Sequence, residues 1–161
     1  MRFKIIYILL FVISLTSSLS SQEQTVGVFV YEENVYDGYT LFSPSKNTYL
    51  IDNCGNLIHQ WTSQYRPGLA VYLLEDGLLL RTNRVNNNDV FSGGGIGGAL
   101  EKLDWSSNVI WSYDYNSDTV RQHHDIEIMP NGNILILAWE KKNGQEAISQ
   151  GRDPNLINNE L

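Results

Sequence analysis

Two adjacent histidines, His123 and His124, lie between Arg121 and the acidic residues Asp125 and Glu127. In an extended strand His123, Asp125 and Glu127 share one face, while His124, Ile126 and Ile128 share the other. The first set could ligate a metal ion, a reading that needs further ligands and groups to orient them. Alternatively, the His and Asp side chains could hydrogen-bond backbone groups and fasten a strand entrance. A third reading is catalytic and uses one imidazole. Arg121 either forms a local anion site beside them or is an ordinary solvated arginine.

The elements that must position these residues come from a repeat. Asp52 and Asp104, Asn56 and Asn108, Ile58 and Ile110, and the aromatic pair Trp61 and Tyr113 all lie 52 positions apart. The turn at Glu75, Asp76 and Gly77 returns as Pro130, Asn131 and Gly132, 55 positions on. Where the second copy has His123 and His124, the first has Gly68 and Leu69, and Arg66 matches Arg121. A period of about 50 residues built from short strands points to a propeller or similar array.

Strand-like runs at 48–51 and 57–61, 69–74 and 78–82, 99–103 and 109–113, and 124–129 and 134–139 flank turns rich in Gly, Asn and Asp, the signature of hairpins. No helical period is found before residue 140. Two hairpins, 69–82 and 99–113, would make one four-stranded blade, and 124–139 would begin the next. The leading hairpin 48–61 would complete the last blade and close the ring. The fold expected is therefore all-β, a partial β-propeller of about two four-stranded blades. The rival is a complete small β-sandwich. Two blades cannot close a ring and leave edges unpaired, so the chain is expected to be the N-terminal part of a longer protein or a truncated product. The catalytic reading then places an imidazole at the mouth of the central channel, with Arg121 and Arg66 in matching loops. Trp61, Trp111 and Trp139 are expected between blades, Trp105 at a turn, and His59 in an outer strand away from any site.

Residues 1–21 read as a secretory signal peptide. Arg2 and Lys4 precede the apolar run 5–13, and Ser18 and Ser20 supply small residues for cleavage. Residues 22–47 form a lead segment and 48–161 the propeller domain. The net charge is −7; losing the two leader cations makes it −9 (−7 − 2). Such acidity argues against binding nucleic acid or an anionic membrane, and any anion site must be locally positive. Cys54, the single cysteine, cannot form an internal disulfide. It fits a small residue in a turn, or one awaiting a partner beyond this chain. Gly93, Gly95 and Gly98 satisfy a Gly-x-Gly-x-x-Gly spacing, but no strand precedes them and no helix follows, so a nucleotide loop is rejected in favour of a connection between strands.

Gly38, Tyr39, Thr40, Leu41, Phe42, Ser43 and Pro44, the run Thr48 through Trp61, and His123, His124, Asp125 and Ile126 followed by Pro130, Asn131, Gly132 and Asn133 resemble the arylsulfotransferase (aryl-sulfate sulfotransferase) family of exported bacterial β-propellers. The likeness runs from about residue 27 to 139 and covers the early part of the family's propeller. It implies a six-bladed fold that moves a sulfuryl group from a phenolic sulfate donor to a phenol acceptor, with no nucleotide donor and no cofactor. In such chemistry a neutral imidazole attacks sulfur and carries the group as a sulfohistidine. Other His and Arg side chains neutralise the sulfate oxygens and assist the departing phenolate. The resemblance gives His124, His123 and Arg121 supporting roles, with the nucleophilic histidine in a later blade, and leaves this piece alone inactive. It also implies a periplasmic or extracellular location. The alternative is a non-catalytic secreted propeller that binds a protein or glycan.

Overall fold

The computed structural model describes residues 30, 32–86, 88, 90–91 and 93–157; the expected signal peptide lies outside them. Among the described residues nine strands form three antiparallel sheets. The first is β1 (Tyr39–Phe42), β2 (Asn47–Asp52) and β3 (Leu57–Thr62). The second is β4 (Arg66–Leu73), β5 (Leu79–Arg84), β6 (Gly98–Leu103) and β7 (Val109–Asp114), paired in chain order. The third is β8 (Val120–Ile128) and β9 (Ile134–Glu140). A short helix α1 (Gly144–Ser149) follows, closed at its start by Asn143 and Glu146, each side chain bonding the other's backbone N–H. Up to that helix the described residues form strands and turns with no helix, as expected of an all-β chain. β1 lies in the lead segment, yet it pairs along its length with β2.

The repeat holds down to single hydrogen bonds. Asp52 Oδ1 accepts the N–H groups of Cys54 and Asn56, and its Oδ2 accepts the Asn56 amide at 2.9 Å. Asp104 does the same with Ser106 and Asn108. Such Asx contacts turn the chain without help from its neighbours. The tips at Gly77 and Gly132 carry φ of 83° and 82°, a region where a side chain is penalised. Each is braced by the preceding Asp76 or Asn131 carboxyl or amide oxygen.

Side-chain alternation along β5 makes the sheets stack. Leu79 packs with Leu50, Trp61 and Leu103 between the first and second sheets. Leu80 packs with Ala70, Leu100 and Ile126 between the second and third. Residues one apart on a strand point to opposite faces, so β5, within the middle sheet, is buried on both sides. At the first interface Trp105, half exposed on the β6–β7 turn, stacks on His59 at 3.9 Å and meets Trp61 edge-on at 5.1 Å.

Two of the expected tryptophan placements change. Only Trp61 is fully enclosed between sheets. Trp111 is exposed on β7, the edge strand of the second sheet among the described residues, and lies in a ladder with Tyr113 and Tyr115. Trp139 is half-buried against Phe91 and His123.

Candidate functional site

β8 starts at Val120, four residues before the expected start at His124, and its ladder with β9 breaks between Gln122 and Ile126. Inside that bulge His124 takes φ of 55°. Strand alternation is therefore lost where the metal reading needed it. The two imidazoles, expected on opposite faces, touch each other instead. Their centroids lie 4.0 Å apart, edge to face, with Nδ1 to Nδ1 at 3.1 Å. Among the described residues no group of three or more His, Cys, Asp and Glu side chains comes together to hold a metal ion.

The glycine-rich connection between β5 and β6 lies along this bulge. The His123 ring nitrogen Nε2 is 3.0 Å from the Gly94 carbonyl oxygen, and the His124 backbone N–H donates to the Gly95 carbonyl. A Cβ at Gly95 would overlap the His124 ring, and one at Gly97 would overlap the Gln122 amide. At Gly93 it would come within 2.8 Å of Trp139. Gly93, Gly95 and Gly97 permit close approach to Trp139, His124 and Gln122 of the third sheet, a role that sequence reasoning missed. Their clustering was the available signal.

The hydrogen bonds assign the protons of a neutral pair. A carbonyl oxygen only accepts, so His123 Nε2 carries hydrogen and its Nδ1 carries a lone pair. His124 Nδ1 must then donate to it. This leaves His124 Nε2 with a lone pair, on a side chain exposed to solvent. An imidazole so arranged can take up a proton or attack an electrophile.

Arg121 is neither in a loop nor solvated. It sits in β8 at 1% exposure. Its guanidinium donates to the carbonyls of Asn88, Phe91, Val85 and Gly97. Burial, then the nearby Arg84 charge, lowers its pKa from the ordinary guanidinium value. Its donors are thus directed at the connection that carries Gly94 and Gly95. It positions the histidines and offers no open fork to an anion, which replaces the expected local anion site at this residue.

The acidic neighbours are held separately. Asp125 Oδ1 accepts from the Ile126 N–H and from the Tyr72 hydroxyl, which also reaches the Ile126 carbonyl. Burial raises the Tyr72 phenol pKa, helped by Asp125 and Glu127. Tyr72, on β4 of the neighbouring sheet, went unnoticed in the sequence. His59 lies 2.8 Å from the Trp105 carbonyl, away from this cluster as expected. Cys54 is free and exposed.

No protein-family model, curated protein or solved structure matches the chain. No helix among the described residues is long and apolar enough to cross a membrane.

Proposed function

We propose that the stacked sheets are successive blades of a β-propeller, and that the exported protein transfers sulfuryl groups from a phenolic sulfate ester to a phenol. The observation that carries this reading is the His123–His124 contact, which engages His124 Nδ1 and leaves its Nε2, on an exposed side chain in the β8 bulge, without a partner among the described residues. The sequence likeness to the arylsulfotransferases supplies the reaction. The later-blade histidine bonds sulfur as the donor's S–O bond breaks and the phenolate departs. His124 Nε2, in its supporting role, then takes the acceptor's phenolic proton as the acceptor oxygen bonds sulfur and the S–N bond breaks. Arg121 and the glycine connection keep the pair in place. Incubating the complete gene product with 4-nitrophenyl sulfate and phenol, and following nitrophenol release, tests the reading. Release that does not depend on the acceptor, or that is unaffected by His124→Ala, rules it out.

The ladder of Trp111, Tyr113 and Tyr115 favours a second reading, a non-catalytic propeller that binds a glycan. Tryptophan fluorescence that stays constant on glycan titration would dismiss it.

A further inference from the structure

With Arg121 occupied, the open positive charge lies elsewhere at the strand ends. Pro44, Ser45, Lys46, Arg66 and Pro67 line a cavity of about 490 Å³ between the β1–β2 turn and the start of β4. No carboxylate among the described residues lines it. Lys46 and Arg66 are both exposed, and the ion pairs among the described residues, Arg81–Glu101 and Lys142–Glu140, involve neither. Arg84 stands directly opposite Arg66 across the β4–β5 ladder. Like charges facing each other across strands destabilise a sheet. In a chain with net charge −7, leaving this pair without a counter-charge calls for an explanation.

The cavity also has a built floor. Arg81, fully buried, donates to the Lys46 carbonyl at 3.1 Å and the Tyr65 carbonyl at 3.3 Å. One guanidinium therefore ties down the backbone on both sides of the groove, its own charge offset by Glu101 3.6 Å away. Lys46 Nζ and the fork of Arg66 are free to meet oxygens, and an arginine fork matches a tetrahedral oxyanion in a bidentate manner.

We infer that this groove binds a tetrahedral oxyanion monoester, a sulfate or phosphate ester, through Lys46 and Arg66, with Arg84 strengthening the local field. The inference rests on the proposed sulfuryl transfer for its class of ligand, and adds an anion site that Arg121 does not provide. The direct test is titration of the whole protein by calorimetry and by NMR of the Arg66 and Lys46 amides. The ligands are 4-nitrophenyl sulfate, 4-nitrophenyl phosphate, inorganic sulfate and inorganic phosphate, with chloride as control.

Saturable binding of at least one ester is expected. Loss of a charge-assisted contact in Arg66→Gln or Lys46→Gln should weaken it about tenfold or more, and added salt should weaken it further. The relative affinities of sulfate and phosphate esters identify the source. Non-saturable shifts matched by chloride, or binding unchanged in both variants, overturn the groove. Circular dichroism checks that the exposed substitutions leave the fold intact. Sulfuryl transfer and ester binding that both persist unchanged in Arg66→Gln and Lys46→Gln overturn the groove alone. Ester binding by a protein without transfer activity overturns the proposed reaction and supports the groove.

Discussion

Leu69 and His124, 55 positions apart, both carry positive φ, at 92° and 55°. Each sits in a bulge near the start of its strand: β4 shifts register between Pro67 and Val71, and β8 between Gln122 and Ile126. The same backbone irregularity is thus kept in two repeats with different side chains. In one it holds a leucine that is 64% exposed, in the other the exposed imidazole. Bulges re-aim side chains next to functional sites, and this one points His124 at His123 rather than across the strand.

The first expectation concerns that strain. A left-handed conformation costs a side-chain-bearing residue roughly 1–2 kcal/mol. Leu69→Gly removes the cost and loses little packing, though glycine gives back part through the unfolded chain. A net gain of about 0.5–1 kcal/mol in urea unfolding is expected, whereas Leu69→Ala should give none. At the matching position, His124→Gly should also stabilise while abolishing whatever chemistry the imidazole performs.

A second prediction follows from the proton assignment. Long-range nitrogen–proton NMR of the neutral protein should place hydrogen on Nε2 of His123 and on Nδ1 of His124. His123→Phe keeps a ring against Trp139 but removes the acceptor that fixes the His124 tautomer. The His124 spectrum should then become a mixture of tautomers, and turnover should fall by roughly 10²-fold, the low end of what a proton-transfer group contributes. A retained Nδ1–H pattern in the variant would refute the assignment.

Gly95 gives a third. Its φ is 72° and the space where Cβ would stand is filled by the His124 ring. Gly95→Ala should cost about 1–3 kcal/mol in stability and displace His124, with chemical-shift changes centred on both histidines. Gly94→Ala meets nothing within 4 Å and should be close to neutral, so the pair separates a crowding effect from a general loss of loop flexibility.

The hairpins and the repeat could be read from the chain because each turn carries its own instructions. Asp52 and Asp104 bond their own loops, and Gly77 and Gly132 tolerate the tip geometry, whatever surrounds them. The bulge could not be read. Neither Leu69 nor His124 is a residue type that announces a left-handed backbone, and Ser107 adopts φ of 67° where the first repeat has Gly55. Long-range contacts impose these conformations. Arg121 was misplaced for the same reason: a charged side chain is expected in water, and its neutral carbonyl partners lie 24 to 36 positions away.

The two Asp turns predict acid sensitivity. Bonds from Asn56 hold the Asp52 carboxyl below its ordinary pKa, and bonds from Asn108 do the same for Asp104. Because the folded values are depressed, their contribution is present above the unfolded carboxylate value, near 4, and is lost as pH falls through the folded values. Asp52→Ala and Asp104→Ala should each lower the Tm at pH 7, with the difference from the parent shrinking as the pH falls below the unfolded carboxylate value. A difference independent of pH would mean that the loops depend on side-chain shape rather than charge.

The final prediction tests the interior pair Arg81 and Glu101, 3.6 Å apart and almost wholly excluded from solvent. Burial lowers the Arg81 pKa and the Glu101 charge opposes that shift. Arg81→Met leaves Glu101 buried without its partner, and removing one member of such a pair costs about 3–5 kcal/mol. The double variant Arg81→Met with Glu101→Leu should recover much of that loss, because two apolar groups need no counter-charge. It should not recover ester binding in the groove. The Lys46 and Tyr65 carbonyls that Arg81 holds stay loose even when the core is repacked. Unfolding by urea reads the first effect and ester titration the second. Binding restored together with stability would reduce Arg81 to a packing residue.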